Sequence, residues 1–504
     1  MKRFISLLLT VLIFITAAGC GKSSGTNASG GTTDETVSDA DTADTRFDNI
    51  DFGGREFRVQ SSSDSSDATN ANAMIAGSGV MNAEIVNDAV YNRNAKIEEK
   101  LKIKLVFTPS EYSYSNASAS IRKFVLAGDD TYDLIINDLR SIAELSAEGL
   151  FKNIYGSKII DLQRSYWYKS YMEDLMVVKG GMYILAGDYF MDVLASCHVL
   201  YYNKDIINDN YGSGDVVYDY VFDGTWTLDK MIEMVTDTAR DLNGDSKMKP
   251  GDLYGFNCVG TWGSAIPVLI ATGVQFVSRD NDSIEFIFNN ERSIKILEKM
   301  NELFYSPGTL TSTPDLLALR KLFGSGNTVF MGYNRLGDLA NMREIEFPIG
   351  AVPYPKLDTE QKDYVTSTHD TTEVGGIPIT VQDMEFITTV IEALSAATSE
   401  IVLPEYYENS LKVKYARDNT VAKMIDIIHD SISSPFALAY DNMTSSFMLG
   451  STFCTPLGSK KTDFASFYAK GEKGAKKQME KLEEKFIKVL NDAAGANAET
   501  TAAG

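Results

Sequence analysis

The chain has 504 residues, 44% of them hydrophobic, and a formal net charge of -22 at pH 7. This is enough apolar content for a large core or two medium ones, and at this length two lobes are expected. A surface this acidic argues against nucleic-acid binding and against an extended electrostatic contact with anionic lipid. After residue 20, cysteines occur at 197, 258 and 454, without a CxxC or a Cys/His cluster. A disulfide framework and a zinc site are therefore not expected, and these thiols are predicted to be buried.

The N-terminus has the layout of a secretory signal: Lys2 and Arg3, an apolar run over residues 4–18, and small residues before Cys20. The run is shorter than the roughly 20 residues that a membrane-spanning helix needs, and no later stretch approaches that length. Ala-Ala-Gly-Cys resembles a bacterial lipobox. The resemblance implies a signal peptide over residues 1–19, a lipid such as palmitate on Cys20, and a place at the extracellular face of the cell membrane. The alternative is an ordinary cleaved signal with an incidental cysteine.

Residues 20–47 consist mostly of Ser, Gly, Thr, Asp and Ala, so they are predicted to form a flexible tether. In the body that follows, short apolar runs alternate with segments of helical periodicity, which predicts α/β layers with parallel sheets. Strands are predicted at 56–60, 102–107 and 133–136, and helices at 90–101, 142–150, 294–304, 316–323, 387–394, 421–428 and 479–489. Thr380 and Asp383 suggest a capping box before the 387–394 helix.

Several segments, in order over roughly residues 50–430, resemble the extracellular solute-binding proteins of bacterial ABC importers, in particular the carbohydrate-type family 1. The most specific match is Leu-Tyr-Tyr-Asn-Lys-Asp at 200–205. The other matching segments are 128–136, 148–154, 224–229, 254–256, 323–331, 352–355 and 407–418.

The resemblance implies a two-lobed, periplasmic-binding-protein-like α/β fold of type II, with the ligand in the cleft between the lobes. Crossovers are expected near Leu194–Cys197 and Val352–Pro355. Lobe 1 would then comprise residues 48–194 and 356–420, and lobe 2 residues 195–355 and 421–496. The implied function is capture of a sugar or oligosaccharide and its delivery to an ABC permease, by a monomer that catalyses no reaction. The alternatives are the same fold binding a peptide or other small solute, a surface glycosidase, and a sugar-sensor subunit.

A sugar site needs aromatic faces that stack on a pyranose, together with carboxylates, amides and guanidinium groups that bind its hydroxyls. Trp262 lies in a glycine-flanked loop after a strand, where open α/β sheets bind ligands, so it is a candidate stacking platform. Trp226, with Thr227 as the expected helix cap, is interpreted as a packing residue. Tyr189 near the first crossover is a further candidate, although core packing is the stronger interpretation.

Polar side chains follow two of the predicted strands. Asn137, Asp138 and Arg140 come after the strand at residue 134, and Asp138 is either a cleft carboxylate or a helix N-cap. Tyr333, Asn334 and Arg335 follow another strand end and are further ligand-binding candidates. A polar stretch with His369, Asp370 and Glu373 is either a solvated loop or part of the cleft.

The segment 241–252 resembles the front half of an EF-hand loop, with Asp241, Asn243, Asp245 and Asp252 at the first, third, fifth and twelfth positions. Oxygens at these positions suit a structural calcium ion. Ser246 stands where glycine is expected and two lysines interrupt the loop, so a flexible acidic turn is the stronger interpretation. No other cofactor is expected.

No catalytic motif stands out. The histidines at 198, 369 and 429 are far apart in sequence, and the chain has no GxSxG, HExxH or P-loop. A glycosidase needs two carboxylates at a defined separation, and no local pattern indicates such a pair. The sequence therefore favours a binding protein over an enzyme.

Overall fold

The computed structural model describes residues 45–61, 71–111, 115–249, 251–279, 283–412, 419–433 and 435–502. The chain separates after Arg46 into two compact units. The first, Met1–Arg46, lies almost wholly outside the described residues, as do the predicted signal peptide, Cys20 and nearly all of the predicted tether. The second, Phe47–Gly504, contains every described strand and helix.

This body is built on two main β-sheets. Its strands, in chain order, are β1 (Arg55–Ser61), β2 (Ile103–Pro109), β3 (Leu134–Asp138), β4 (His198–Asn203), β5 (Tyr254–Asn257), β6 (Val277–Ser278), β7 (Glu285–Phe286), β8 (Thr309–Leu310), β9 (Thr328–Arg335), β10 (Ile349–Val352) and β11 (Glu373–Gly376). The first sheet has the strand order β11-β3-β1-β2, and the second has the order β10-β4-β9-β5-β8. A separate antiparallel pair joins β6 to β7.

Each main sheet contains one strand that runs against its parallel neighbours. In the first sheet β11 is antiparallel to β3, with Glu373 opposite Asp138. In the second, β4 is antiparallel to β9, with His198 opposite Arg335. The predicted α/β layers are confirmed, but the sheets are mixed rather than purely parallel. As a result, the start of a reversed strand lies at the edge where a parallel strand ends.

The chain passes from the first sheet to the second between β3 and β4, and it returns between β10 and β11. Cys197 and Thr368 pair in an antiparallel bridge, so the two passing segments run side by side at that point. The predicted crossover near 194–197 includes Cys197 of this bridge, whereas the one near 352–355 begins at the last residue of β10, before Thr368. The detailed lobe boundaries stay a prediction.

The helices cover the sheets and form the C-terminal part of the chain. The α-helices are α1 (Ala71–Ala76), α2 (Ile85–Leu101), α3 (Ser115–Leu126), α4 (Leu139–Ala147), α5 (Lys169–Asp174), α6 (Asp192–Ala195), α7 (Lys204–Tyr211), α8 (Val216–Phe222), α9 (Leu228–Thr238), α10 (Trp262–Ala271), α11 (Glu291–Phe304), α12 (Leu316–Gly324), α13 (Met384–Ala397), α14 (Leu403–Lys412), α15 (Asn419–Asp430), α16 (Phe436–Tyr440), α17 (Thr455–Gly458) and α18 (Phe464–Ala502). Helices of the 3₁₀ type span Leu336–Met342 and Asn442–Thr444, and π-helices span Thr398–Val402 and Phe447–Cys454.

The start of α13 differs from the sequence prediction. The capping box would make Thr380 the N-cap, but the helix begins at Met384 and Asp383 is the cap, accepting a 3.1 Å bond from the backbone N–H of Phe386. Asp383 also pairs with Arg55 of β1, which holds the helix start against the first sheet. The cap therefore lies three residues later than predicted.

The segment Met384–Tyr407 is long and apolar enough to span a membrane, contrary to the sequence expectation that no stretch after the signal approaches that length. However, 78% of its apolar window is buried inside the fold, which is the environment of a core helix. The predicted packing roles are confirmed for Trp226, which is buried and donates to the Pro353 carbonyl at 3.0 Å, and for its cap Thr227. The cysteines at 197, 258 and 454 are free and buried, as predicted.

Candidate functional site

Strand direction gathers polar and aromatic side chains at one edge of each main sheet. Because β5 and β9 are parallel, their carboxyl ends meet at the same edge of the second sheet. Trp262 follows the end of β5, and Tyr333 lies near the end of β9. In the first sheet, the segment that leads into β11 is brought to the end of β3.

Trp262 and Tyr333 are neighbours across this edge of the second sheet. Trp262 is the first residue of α10, and its side chain is 50% exposed. The Tyr333 ring lies directly over Gly263, where an added Cβ would come within 2.8 Å of Tyr333 Cε2. Tyr333 has a left-handed backbone with φ of 58°, which is uncommon for a tyrosine and typical of functional sites.

The Trp262 ring rests on the π-helix Phe447–Cys454. A Cβ on Gly450 would lie 2.9 Å from Cη2 of the indole, so the glycine allows the ring to approach the helix closely. The Asp441 carboxylate holds the start of this helix, accepting bonds from the backbone N–H groups of Met448 at 2.7 Å and Leu449 at 3.1 Å. Burial raises the pKa of Asp441 to about 6, opposed by these backbone bonds.

His198 and His369 join Tyr333 in a cluster of three rings. Ring centroids lie 5.8 Å apart for the two histidines, and those of His198 and Tyr333 lie 6.1 Å apart in a stacked arrangement. Burial, assisted by Arg335 and Arg140, lowers the pKa of His369 to about 3. Burial also lowers the pKa of His198 well below its usual value. Both imidazoles are therefore neutral at pH 7 and can donate or accept a hydrogen bond.

Charged groups of both signs surround these rings. Arg140 forms an ion pair with Asp370 and interacts electrostatically with Asp441 and Tyr333. Arg335 also acts on His369, and its Nε lies 3.6 Å from the Asp338 carboxylate. Guanidinium groups, carboxylates and neutral imidazoles beside two aromatic rings can bind the hydroxyls and the apolar face of a polar ligand.

The other candidate residues lie deeper. Asp138 is buried and caps α4, accepting bonds from Ser141 N at 3.1 Å and Ser141 Oγ at 2.5 Å. Burial raises its pKa, opposed by the Ser141 bonds. Asn137 is buried and accepts from the Asp138 N–H. Asn334 is buried too, with its amide donating to the Gly332 carbonyl at 2.8 Å.

Tyr189 belongs to the core. Its ring is fully buried, 5.4 Å from the ring of Phe190 and 5.1 Å from the guanidinium of buried Arg93. This is the environment that the core-packing interpretation expects. Tyr189 therefore has no place in the site proposed below.

The four predicted calcium ligands lie in one loop, where they hold the backbone. Asp241 accepts from the N–H groups of Gly244 and Ser246, and Asn243 accepts from that of Asp245. Asp252 is buried and bonds the N–H of Leu242 at 3.0 Å and that of Lys249 at 2.7 Å, as a tight turn requires. Across the described ranges, no three His, Cys, Asp or Glu side chains are grouped as a metal site. Calcium stays a prediction.

Sequence reasoning missed three parts of the site: His198, Asp441 and the π-helix around Gly450. The histidines were separated by a long stretch of sequence, and only the reversed direction of β4 places His198 at the site. The apolar run 447–454 carries no sign that it supports Trp262. The polar stretch with His369 and Asp370 was noted, and the ring and ion-pair contacts above place it in the cluster rather than in a solvated loop.

Solved structures with this architecture come from several bacteria. An uncharacterized protein of Listeria monocytogenes EGD-e aligns with a TM-score of 0.56 at 12% identity, covering 84% of this chain and 100% of its own. UspC of Mycobacterium tuberculosis aligns with a TM-score of 0.52 at 13% identity, again covering 84% of this chain and 100% of its own. The GacH receptor of Streptomyces glaucescens, solved with acarbose, aligns with a TM-score of 0.47 at 12% identity, covering 87% and 99%. No protein-family model matches the sequence, and no curated protein matches it significantly.

This chain therefore has a two-lobed mixed α/β fold like that of periplasmic binding proteins.

Proposed function

We propose that the chain is the substrate-binding lipoprotein of an ABC importer, which captures an extracellular carbohydrate and delivers it to the membrane permease. The half-exposed Trp262 ring, seated on Gly450 beside Tyr333, is the observation that carries this proposal. Such faces stack on a pyranose, and the nearby guanidinium, carboxylate and imidazole groups match its hydroxyls. The two-lobed fold supports closure on the ligand by a hinge at the passing segments, without a reaction catalysed by this subunit.

The cellular setting is part of the same proposal. The lipobox-like Ala-Ala-Gly-Cys sequence supports a lipid on Cys20 and a monomer anchored to the outer face of the cell membrane. Mass spectrometry of the mature chain tests the anchor, because lipidation adds a fixed mass to an N-terminal cysteine peptide that starts at residue 20.

A structural calcium ion at Asp241, Asn243, Asp245 and Asp252 is a secondary proposal. It predicts that CaCl2, but not MgCl2, raises the thermal midpoint, and that Asp241→Asn removes this difference. If the two salts have equal effects on the thermal midpoint, the loop is an acidic turn without a calcium site.

A thermal-shift screen of residues 47–504 against mono- and oligosaccharides, with peptides for comparison, tests the main proposal. A ligand that binds only the folded state at a hundredfold excess over Kd stabilises it by about 2.7 kcal/mol. The screen is repeated on Trp262→Ala and on the matched variant Phe222→Ala, whose ring is 47% exposed at the end of α8. We expect a saccharide shift that Trp262→Ala abolishes and Phe222→Ala retains, without hydrolysis of the sugar.

Two results would contradict the proposal. A shift with peptides and none with saccharides would keep the fold and change the ligand class. A released product would indicate a glycosidase.

A further inference from the structure

One face of the C-terminal helix α18 carries a row of lysines, here called the lysine stripe: Lys470, Lys473, Lys477, Lys481, Lys485 and Lys488. At 3.6 residues per turn, the six fall within an arc of about 120° and extend over about 27 Å. All six are exposed. The opposite face is buried through Tyr468, Met479, Leu482 and Phe486, which fixes the stripe toward solvent.

Three acidic groups lie near this stripe of six lysines. Glu484 lies within the same arc, the exposed Glu480 lies about 20° outside it, and Asp492 lies one turn beyond its end. The ion pair on this part of the helix joins Lys476, off the stripe, to Glu472 at 2.8 Å. Among the described residues, none of the six stripe lysines is ion-paired. A chain with a net charge of -22 thus has one strongly cationic face.

A pocket of about 530 Å³ lies at the C-terminal end of the stripe. Lys485 and Lys488 line it together with Lys152, and its apolar lining is provided by Phe151, Tyr183, Ile379 and Val489. Burial lowers the pKa of Lys152. Glu148 at the rim is bound by Arg122 at 2.6 Å, so its charge is offset. The pocket is therefore cationic at its rim and apolar inside.

Exposed apolar side chains accompany these lysines. Ile379 in the pocket is 38% exposed, and Ile487, about 40° outside the arc of the stripe, is 45% exposed. Tyr155, two residues after the pocket residue Asn153, is 52% exposed. Lysines combined with tyrosine and isoleucine suit the boundary between lipid headgroups and acyl chains, because the amines meet phosphates while the apolar groups enter the boundary.

We propose that the lysine stripe and its pocket bind the surface of an anionic lipid bilayer. The phosphate headgroups are the partner, and each lysine within a Debye length of an anionic leaflet strengthens binding by about fivefold. That length is about 8 Å at physiological ionic strength, so acidic groups on other faces are screened and do not cancel the contact. The protruding tyrosine and isoleucines favour a lipid surface over a soluble polyanion.

The proposed membrane contact leaves the candidate ligand site free. Residues Ala147 and Glu148 at the C-terminal end of α4 line the pocket, whereas Asp138 caps the other end of α4 near Arg140. The lipid contact and the ligand site therefore lie at opposite ends of this helix. The membrane contact is independent of the identity of the ligand and would add a second contact to the predicted anchor at Cys20.

Co-sedimentation of residues 47–504 with lipid vesicles tests the proposal without the predicted anchor. We expect binding to vesicles of phosphatidylglycerol mixed with phosphatidylcholine at about 100 mM NaCl, and its loss at about 500 mM because salt screens the contact. Vesicles of phosphatidylcholine alone should bind weakly at both concentrations.

Two triple variants with the same change of charge localise the contact. One replaces stripe residues (Lys477→Gln, Lys481→Gln and Lys485→Gln), and the other replaces exposed lysines elsewhere (Lys247→Gln, Lys321→Gln and Lys362→Gln). The stripe variant should bind anionic vesicles at least about tenfold more weakly, and the control should bind like the parent. Thermal midpoints and saccharide shifts should be unchanged in both, which separates this test from that of sugar capture.

Three results would overturn the inference. The parent protein could fail to distinguish the two kinds of vesicle, or the two triple variants could bind equally. Binding of soluble polyphosphate without binding of anionic vesicles would assign the stripe to a soluble polyanion instead.

Discussion

Two glycines set the positions of the aromatic rings in the candidate site. Gly263 lies under Tyr333 and Gly450 lies under Trp262, each at a distance that leaves no room for a Cβ. The rings are thereby held at one edge of the second sheet while the indole stays half-exposed. A stacking platform needs such support, because a ring that is free to rotate loses entropy when a ligand orders it.

Gly450→Ala tests this support. The added Cβ would lie 2.9 Å from the indole, so the ring must move and saccharide affinity should fall by about tenfold, corresponding to about 1.4 kcal/mol. Gly474→Ala in α18 is the matched control. No atom lies within 4 Å of the Cβ that this change adds, so the variant should bind sugar like the parent. The measurement is titration calorimetry with the saccharide from the thermal screen. Unchanged affinity in Gly450→Ala would remove Trp262 from the binding surface.

Asp441 predicts a specific dependence of stability on pH. Its pKa is raised by burial from 3.8 to about 6, so the folded state binds its proton more tightly than the unfolded state does. The stability that this carboxyl contributes is complete below pH 3.8 and is lost as pH rises through about 6, by at most about 3 kcal/mol. Asp441→Asn should therefore gain stability relative to the parent as pH rises through this window.

Urea unfolding of parent and Asp441→Asn at several pH values measures this difference. Asp463→Asn is a suitable control, because this aspartate is exposed and its pKa is lowered, chiefly by a hydrogen bond with Ser466. Because the Asp463 pKa lies below 3.8, this variant should differ from the parent by a constant amount between pH 3.8 and 6, and its difference should change only at lower pH. If the stability difference between Asp441→Asn and the parent does not vary with pH, burial does not raise the pKa of Asp441 in the folded state.

The sequence predicted individual strands and helices but not the direction of the strands. Apolar runs such as 133–136 and helical stripes such as Val90, Ile97 and Leu101 are local signals, and the corresponding β3 and α2 are confirmed. Nothing local distinguishes a parallel strand from a reversed one, because direction depends on pairing with residues far along the chain. The reversal of β4 and β11 places His198 and His369 at the site, which explains why residue patterns alone left them unconnected.

Strand ends were the signal that selected the candidate residues Arg140, Trp262, Tyr333 and Arg335. In the structure Tyr333 and Arg335 belong to the last three residues of β9 rather than following it, and the role of all four in ligand binding stays a prediction. The same pattern also selected Asn137, Asp138 and Asn334, which are buried, as Arg335 is. An alternating backbone sends neighbouring side chains to opposite faces, and sequence alone did not show which face would be covered.

The N-cap of α13 can be tested by substitution. Asp383→Ala removes both the bond to Phe386 N and the pair with Arg55, so the free energy of unfolding should fall by about 1–2 kcal/mol. Thr380→Ala, at the cap expected from sequence, should change it by less than about 0.5 kcal/mol. Urea unfolding compares the two variants. A larger effect at Thr380 would restore the predicted capping box.

At the scale of the whole molecule, α18 ties together elements packed on both sheets. Phe486 contacts Tyr183 near the first sheet at a ring distance of 5.6 Å. Further toward the N-terminus, Tyr468 lies 5.1 Å from Phe288, and Glu483 accepts a bond from Ile284 N. The body should therefore unfold cooperatively, although its sheets are separate.

Phe486→Ala tests this coupling. Removing a fully buried phenyl ring should lower the free energy of unfolding by about 3–5 kcal/mol, while a single transition is kept. Ile487→Ala, at the adjacent and 45% exposed position, should have little effect. Differential scanning calorimetry distinguishes these cases, and two separate transitions in the parent would contradict the coupling.

Net charge was a poor guide to individual surfaces. The sequence total of -22 argued against an electrostatic contact with lipid, yet α18 presents six lysines on one face. Charges interact over about a Debye length, so the relevant sum is that of one face rather than of the chain. The lysines that share one exposed face of α18 can be identified only when the buried side of the helix is known.

The interrupted first sheet also has a consequence for biogenesis. The chain leaves that sheet after Asp138 and completes it with β11, which begins at Glu373. A ribosome adding about 5–20 residues per second needs tens of seconds to make the intervening segment. The second sheet, contained within His198–Val352, is complete before then, whereas the open edge of β3 waits for its partner. The three strands β3-β1-β2 can pair as soon as Asp138 is made, so an exposed strand edge on β3 persists until β11 emerges, and covering that edge during the interval would protect the new chain from edge-to-edge aggregation.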